Sequence, residues 1–498
     1  MTKFSEALAR VHKAAKHHIV RSKDISRADR EMLFSSRWLQ SIVRGWYLLV
    51  RPDAAPGESS PWYASFWDFL GLYLENLYGD RYCLSAESSL DLHINASTIP
   101  KQVIAIAEKG NNSPLELPFN TSLLTYGAPK NIPEETVKIR GIRAMPLPLA
   151  LCRASPSYFT RNAKDAEIAL RFAKDPSEWL HTILRYDFKR AANRIVGAYG
   201  FLQEKEMAEH IQTSLEREHF SILPENPFAE EKPLLLLPIK SPHAARVYML
   251  WNAYQETILQ VFAPSSKLPN KTAYFAQLEK IYAQDAYNSL SIEGYRIDDA
   301  LIRRVAEEDW NPEENPQDRA TRDALAAFGY YEAFQAVKVS IGHILDGASP
   351  ALEAKKNLHF WMQNLFQPMI DAQLLRSEDL VGYRRHQVYI RGSRHIPFPR
   401  EALPDAMEAF YDCLLNEPHP AVRAVLGHFL LVYIHPYMDG NGRTARFLMN
   451  AMFASGGYPW TIIQVKHRDR YFAALEEASV GENVRPLAEF IQEEMHPG

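Results

Sequence analysis

Residues 435–446 read His-Pro-Tyr-Met-Asp-Gly-Asn-Gly-Arg-Thr-Ala-Arg, and this stretch decides the fold of the C-terminal half. The preceding residues, 421–434, are mostly apolar and contain no proline, which predicts a buried helix. The following residues, 443–455, have helical apolar spacing and stop at two glycines. The sequence therefore predicts a helix, a tight loop and a second helix.

The residue types in this loop suit phosphate chemistry. Gly440 and Gly442 permit backbone conformations in which successive N–H groups face one anion. The start of the second helix adds unpaired N–H donors and the positive end of its dipole. Asp439 is a hard oxygen ligand suited to Mg²⁺ held between protein and phosphates. His435 is a candidate general base near neutral pH.

Two arginines follow the loop at a spacing of three residues. Arg443 and Arg446 therefore share one face of the predicted helix, where they can bind a polyphosphate together. The alternative is an ordinary surface turn, because Asp-Gly and Asn-Gly are common turn dipeptides. Nine fixed positions within twelve residues favour the phosphate-binding hypothesis.

The stretch resembles the signature of the Fic family, HPFx(D/E)GN(G/K)RxxR, with Tyr437 in place of the usual phenylalanine. Fic proteins are all-helical enzymes, and most transfer AMP from ATP to a hydroxyl side chain of a target protein. The resemblance implies that His435 deprotonates this hydroxyl and that Asp439 binds Mg²⁺. Since relatives with lysine at position 442 phosphorylate their targets, Gly442 favours AMP transfer. The ATP-binding residues implied for the loop and helix are Gly440, Asn441, Gly442, Arg443, Thr444, Ala445 and Arg446.

Residues 382–400, GYRRHQVYIRGSRHIPFPR, predict a short β-hairpin that turns at Gly392 and Ser393. The segment resembles the Fic flap, which covers the nucleotide and pairs main chain to main chain with the target. A plain surface hairpin is the alternative. Further on, Tyr471 stands where the family has a nucleotide-contacting tyrosine, and Ser479 stands where some relatives have asparagine. The flap residues that the resemblance assigns to ATP are Val388, Tyr389, Ile390 and Arg391.

Residues 288–296, NSLSIEGYR, resemble the inhibitory motif (S/T)xxxE(G/N) of autoinhibited Fic proteins through Ser289, Glu293 and Gly294. A carboxylate at a helix end can form a bidentate pair with Arg446 and remove the partner of the γ-phosphate. ATP would then bind with its α-phosphate misaligned for in-line attack. A solvated helix end is the alternative. In relatives the same glutamate can position a water that removes AMP, so the direction of the reaction stays open.

Composition bounds the rest of the chain. Its 498 residues suggest two to four domains, and 46% hydrophobic with 23% charged residues are typical of soluble globular proteins. The sequence has no run of about eighteen apolar residues and no signal-peptide pattern at its start, so no membrane partner is expected. Three scattered cysteines fit neither a disulfide framework nor a zinc site, which favours the cytoplasm.

Charge is unevenly distributed. The net charge is −4, but residues 1–53 alone carry +6, which leaves −10 for the remainder. This asymmetry favours an acidic partner for the first segment, with a solvated helix face as the alternative. Residues 1–53 also predict helix, turn, helix and strand pair, the order of a winged helix.

Two stretches of the N-terminal region resemble abortive-infection antitoxin-type regulators. Residues 43–52, VRGWYLLVRP, are similar to their winged helix, and residues 85–94, SAESSLDLHI, to the domain that follows it. Such modules typically bind DNA, and the resemblance makes Arg27, Arg30 and Arg37 candidate phosphate contacts. DNA binding and protein docking both stay open for this region.

The expected fold is mainly α, with an all-helical C-terminal Fic core that carries a short β-hairpin flap, preceded by an α+β winged-helix-like region. The expected function is transfer of AMP from ATP with Mg²⁺ to a target protein or to the chain itself. The alternative is a DNA-binding antitoxin-type regulator with a weakly active or sensory Fic core. The oligomeric state is open, a homodimer included. The expected domains are 1–53 winged-helix-like, 54–222 antitoxin-like, 223–243 linker, and 244–498 Fic with an inhibitory helix around 285–296.

Overall fold

The computed structural model describes residues 3–52, 58–229, 233, 241–262, 270–298, 301–302, 305 and 322–495. The chain forms two compact units. Unit 1 comprises Met1–Leu236 together with Tyr389–Ile396, and unit 2 comprises Leu237–Val388 together with Pro397–Gly498. The predicted fold class is confirmed, because unit 2 is helical and the strands of the described residues lie in unit 1. The boundaries of the four predicted segments stay predictions.

Among its described residues, unit 1 contains three antiparallel or mixed sheets. The first has the order β1-β3-β2, the second β4-β5-β7-β6 with β5 parallel to β7, and the third pairs β8 with β9. The strands are β1 (Ile19–Arg21), β2 (Leu39–Val43), β3 (Trp46–Leu49), β4 (Tyr82–Leu84), β5 (Gln102–Ala107), β6 (Pro114–Leu117), β7 (Thr121–Gly127), β8 (Val137–Ile139) and β9 (Ile142–Ala144). The helices are α1 (Lys3–Ala14), α2 (Arg27–Ser35), α3 (Ser60–Tyr78), α4 (Ala86–His93), α5 (Leu147–Arg153), α6 (Pro156–Arg161), α7 (Ala163–Phe172), α8 (Pro176–Tyr186), α9 (Lys189–Phe201) and α10 (Lys205–Arg217).

The first part of unit 1 has two helices followed by the β2–β3 pair. An ion pair joins the helices, since Arg10 Nη2 on α1 lies 2.6 Å from Asp29 Oδ1 on α2. Ser26 caps α2 because its Oγ accepts the backbone N–H of Asp29 at 3.1 Å. Arg27, at the start of α2, pairs with Glu31 at the surface. The winged-helix assignment and the DNA contacts stay predictions.

Unit 2 is built around α16 and α17, the two helices that flank the loop. Every residue of α17 except Gly442 is buried, as expected for a helix surrounded by other helices. None of the described helices is both long enough and apolar enough to cross a bilayer. The helices are α11 (Pro242–Val261), α12 (Lys271–Ile292), α13 (Arg322–Leu345), α14 (Pro350–Asp371), α15 (Leu403–Asn416), α16 (Pro420–Ile434), α17 (Asn441–Ala454), α18 (Arg468–Ser479) and α19 (Arg485–Met495).

Candidate active site

His435 stands where α16 meets the loop. Its backbone is left-handed, with φ +55° and ψ 59°, and this conformation ends the helix. Its Nδ1 lies 3.1 Å from the carbonyl oxygen of Val432. Because a carbonyl oxygen can only accept, Nδ1 carries the proton and Nε2 keeps the lone pair that a base requires.

The charge state of His435 also suits a base. Its pKa is lowered to about 4, mainly because burial disfavours the charged imidazolium, and the hydrogen bond to Val432 opposes only part of this effect. The imidazole is therefore neutral at physiological pH, which is the form that can accept a proton.

Hydrogen bonds to its main chain fix the loop. The side chain of Asn441 accepts the N–H of Tyr437 at 2.9 Å and donates to the carbonyl of Tyr437 at 2.8 Å. Arg384 Nε donates to the carbonyl of His435 at 2.7 Å, and its backbone N–H donates to the carbonyl of Pro436 at 2.8 Å. The side chain of Asn441 is thus committed to the loop, so this residue offers an anion its backbone N–H.

Gly440 immediately precedes α17, and the structure shows why a glycine is required at this position. Its φ is +81°, and a Cβ would lie 2.7 Å from Cε2 of the buried ring of Phe366. The N–H groups of the first helical turn have no acceptor within the helix, and the positive end of the helix dipole lies beside them. The loop therefore presents a helix N-terminus that attracts anions.

A carboxylate already stands against this helix N-terminus. A Cβ on Gly442 would lie 2.6 Å from Glu293 Oε1, and that oxygen accepts from Arg446 Nη2 at 2.7 Å. Burial alone would raise the pKa of Glu293, but the positive charges of Arg446 and Arg443 hold it below its usual value. Glu293 is therefore ionised at neutral pH and fills the space next to Gly442.

The predicted bidentate pair between Glu293 and Arg446 is wrong in its geometry. Arg446 gives Glu293 one hydrogen bond and also donates to Ser289, with Nε 2.9 Å from the hydroxyl and Nη2 3.0 Å from the carbonyl. Ser289 and Glu293 lie four residues apart at the end of α12, so both reach the same guanidinium. The serine of the motif is a partner of the arginine as much as the glutamate is.

Gly294 ends α12 so that Glu293 is held at its tip. Gly294 has φ +88°, its N–H donates to the carbonyl of Ser291 at 3.0 Å, and the N–H of Tyr295 donates to Leu290 at 3.2 Å. This pair of bonds is a Schellman motif, whose left-handed residue is usually glycine. The glycine after Glu293 therefore has a structural reason.

The same helix is fixed to unit 2 by buried polar contacts. Asp285 accepts the indole N–H of Trp460 at 3.0 Å and the hydroxyl of Tyr330 at 2.7 Å. One turn later, Asn288 accepts the backbone N–H of Val465 at 2.8 Å. Because buried polar groups are costly when unpaired, these bonds set the rotation of α12 and aim Glu293 at α17.

Arg443 is fully buried between aromatic rings. Its guanidinium lies 5.2 Å from the ring centroid of Tyr295 and 4.9 Å from that of Phe366. Among the described residues, its Nε and Nη1 have no hydrogen-bond partner. Both rings also line a mostly apolar cavity of about 370 Å³ that reaches Asp439. A buried guanidinium that has two nitrogens without hydrogen-bond partners and lies beside a cavity can bind an anionic group.

Asp439 is the most exposed of the predicted site residues in the loop, with 55% of its side chain accessible. Its Oδ1 accepts the N–H of Gly440 at 2.5 Å and lies 3.4 Å from Arg443 Nη2. Within the described part of the chain, no group of three His, Cys, Asp or Glu residues could hold an ion. Any cation at Asp439 would therefore need ligands from substrate and water as well.

Thr444, Ala445 and Tyr471, all predicted to bind ATP, are among the most deeply buried residues of the site. Thr444 and Ala445 are fully inaccessible, and Tyr471 is 1% exposed. The Tyr471 ring stacks on Phe490, and its hydroxyl lies 2.8 Å from His428 Nε2. Burial raises the pKa of Tyr471 to about 12, so the hydroxyl stays protonated. Thr444 and Ala445 lie on α17 itself. A direct nucleotide contact of Tyr471 would require its side chain to move.

The predicted flap differs from expectation. The turn is present, since Gly392 has φ +76° and the N–H of Ser393 donates to the carbonyl of Ile390 at 3.1 Å. The arms on its two sides form no strand pair with each other among the described residues. Val388 belongs to unit 2, whereas Tyr389, Ile390 and Arg391 belong to unit 1. The predicted hairpin is therefore wrong in its pairing, although its turn is correct.

Sequence reasoning missed two residues that shape the site. Arg384, which bonds the carbonyls of His435, His386 and Phe398, lay in a segment interpreted only as flap. Asp285 lay within a helix that carried no motif at that position. A buried arginine and a buried aspartate are rare enough to be informative, but burial cannot be read from either residue type alone.

Comparison with known proteins finds similarity in the C-terminal half of the chain. Residues 356–453 match the model of the Fic/DOC family. The protein adenylyltransferase Fic of Nematostella vectensis is 31% identical over 232 residues, covering 46% of this chain and 49% of its own length. The enzyme of the same name from Aedes aegypti is 41% identical over 223 residues, covering 43% and 40%. The chain thus spans about half the length of the curated relatives it matches.

Solved structures give a more distant likeness. A Fic-1 fragment from C. elegans is 18% identical, with a TM-score of 0.37, and the alignment covers 67% of this chain and 92% of that fragment.

Proposed function

We propose that the protein is an adenylyltransferase that transfers AMP from ATP to a hydroxyl side chain of a protein, because residues 356–453 match the model of the Fic/DOC family. The observation that supports this most strongly is the neutral imidazole of His435 on a loop whose next residues begin an anion-attracting helix. The names of the matched relatives point to the same reaction.

The reaction follows from the loop geometry. The target hydroxyl oxygen attacks the α-phosphorus while its proton passes to His435 Nε2. A new oxygen–phosphorus bond forms, the bond between the α-phosphorus and the bridging oxygen breaks, and pyrophosphate leaves. The first N–H groups of α17 and the guanidinium of Arg446 hold the phosphates, and Arg443 supplies further positive charge. No other side chain of the loop can take the proton at neutral pH.

We assign Asp439 to Mg²⁺. Its exposed carboxylate is a single hard oxygen ligand, which suits Mg²⁺ bound together with the substrate. The ion would neutralise phosphate charge and favour departure of pyrophosphate.

Glu293 is proposed to hold this enzyme inactive. Its ionised carboxylate fills the space beside Gly442 and binds Arg446, which a phosphate would otherwise use. Ser289 shares Arg446 and strengthens the inhibited arrangement. The proposal includes a second role for Glu293, in which it directs a water molecule that removes AMP from modified protein. The cytoplasm is the proposed compartment, because the three cysteines are buried thiols.

The experiment compares transfer of radiolabel from α-labelled and γ-labelled ATP by the Glu293→Gly variant. We expect label on protein from α-labelled ATP only, because the β- and γ-phosphates leave together. His435→Ala in the Glu293→Gly background is the control and should abolish transfer, since the base is lost. Label from γ-labelled ATP, or transfer that survives His435→Ala, would refute the proposed reaction. Mass spectrometry of the labelled bands then identifies the target and the residue type.

A second proposal concerns the first 53 residues, whose net charge of +6 favours nucleic acid. In this alternative the protein is an antitoxin-type regulator whose Fic core is sensory. Retardation of duplex DNA that weakens steeply with salt and is lost in Arg27→Glu/Arg30→Glu would support it. No retardation at low salt would leave protein docking as the role of this region. A homodimer, also open, would be visible by light scattering.

A further inference from the structure

The segment Tyr389–Ile396 leaves unit 2 in the sequence but folds with unit 1. Its second arm pairs main chain to main chain with residues 97–99. The N–H of Ile99 donates to the carbonyl of Arg394 at 2.9 Å, and the N–H of Ile396 donates to the carbonyl of Ser97 at 2.6 Å. Thr98 and His395 form the antiparallel bridge between these two bonds.

The turn of the segment is anchored separately. The N–H of Gly392 donates to the hydroxyl of Ser59 at 3.2 Å, and Arg391 Nε lies 3.5 Å from Glu58 Oε2. Ser59 is buried, and both anchors immediately precede α3. Tyr389 and Ile396 pack against the core of unit 1 on either side of the turn.

These contacts supply an order that the segment lacks by itself. An isolated two-stranded hairpin is at best marginally stable in water, and here the two arms do not pair with each other. The extended second arm is held by residues 97–99, and the turn by Glu58 and Ser59. The first arm, which precedes the turn, is partly exposed at Val388 and Ile390. The second arm therefore pairs with residues of unit 1, while the first arm can pair with an extended segment of another protein.

We propose that residues 97–99, Glu58 and Ser59 form a clasp that positions the flap for the target protein. This inference rests on the proposed adenylyltransferase function, and it gives the N-terminal region a role in the reaction. The clasp residues are positioning residues. They hold the flap in the extended shape that strand addition by a target requires, so they act on target binding and not on the chemical step.

The test uses the double variant Glu58→Gln/Ser59→Ala in the Glu293→Gly background. We expect the KM for the protein acceptor to rise about 3- to 30-fold, as loss of one hydrogen bond and one partly exposed ion pair allows. The kcat and the KM for ATP should stay within about twofold. The acceptor is the protein modified in the labelling experiment, or the His435→Ala chain if only the protein itself is modified.

Two further variants separate positioning from general damage. Glu108→Gln/Ser35→Ala removes another ion pair and another serine from unit 1, away from the flap, and should leave the KM for the acceptor unchanged. Glu58→Gln/Ser59→Thr keeps the hydroxyl at residue 59 and should therefore raise the KM for the acceptor less than Glu58→Gln/Ser59→Ala does. An unchanged KM in the clasp variant, or a rise in its activity, would overturn the positioning role.

Amide hydrogen exchange distinguishes failure of this inference from failure of the proposed function. Exchange at Gly392 and Ile396 needs no activity, and it should accelerate in the clasp variant but not in the control. If exchange accelerates while no AMP transfer occurs in any variant, the proposed function fails and the clasp still holds the flap. If exchange does not change, the clasp is overturned whatever the activity.

Discussion

At the scale of single residues, Glu293 Oε1 occupies the space beside Gly442 that the proposed nucleotide phosphate would need. The sequence could predict that Glu293 meets Arg446, because the spacing of the inhibitory motif and the signature loop identify both. It could not predict that Ser289 shares the guanidinium, since one of these bonds involves a main-chain carbonyl. Nor could it predict the burial of Tyr471, because its neighbours Phe490 and His428 lie 19 and 43 residues away in the chain.

His435 provides a prediction about pH at this scale. Its pKa in the folded protein is about 4, below the value of about 6.5 expected in the unfolded chain. The neutral form therefore persists through neutral and weakly acidic pH, and the stability that depends on it is lost as the pH falls from about 6.5 through 4. The measurement is an NMR titration of the imidazole Cε1–H resonance that is missing in His435→Ala. A midpoint near 6.5 would contradict the buried environment.

At the scale of elements, helices were predictable and strand partners were not. Residues 421–434 predict a helix that the structure has at Pro420–Ile434, because apolar periodicity is a local signal. The sequence likewise predicts a helix over residues 319–345, and the structure has α13 over Arg322–Leu345. Residues 319–321 lie outside the described part of the chain. The flap shows the limit, since its pairing partner, residues 97–99, lies about 300 residues away and nothing in the alternation of residues 388–396 specifies it.

The loop offers a prediction with a matched control. Gly440→Ala and Gly347→Ala both place a side chain at positive φ, but only at residue 440 does the new Cβ meet a buried ring. Gly347→Ala should cost about 1–2 kcal/mol of unfolding free energy from backbone strain. Gly440→Ala should cost about 1–3 kcal/mol more, because Phe366 must move, and it should abolish AMP transfer. Urea denaturation and α-labelled ATP measure the two effects. Equal destabilisation with activity retained in Gly440→Ala would show that the loop tolerates a shift.

At the scale of the whole molecule, composition and charge indicated more than one domain but not where the flap would fold. The sequence predicts four segments along the chain. The structure has two compact units, with residues 389–396 grouped with the N-terminal one. This grouping depends on a non-local strand pair, so no composition shift could indicate it. The proposed clasp would give the N-terminal region a part in target binding through the flap, whether or not it also binds DNA.

We propose that Glu293 blocks the phosphate-binding site beside His435 and the N-terminus of α17. The most direct measurement is the initial rate of AMP transfer from α-labelled ATP by wild type, Glu293→Gly and Glu293→Gly/His435→Ala. Releasing a charged hydrogen bond to Arg446 should raise the rate of Glu293→Gly about 10- to 100-fold over wild type. The double variant should show no transfer. Equal rates for wild type and Glu293→Gly, with both active, would contradict the account.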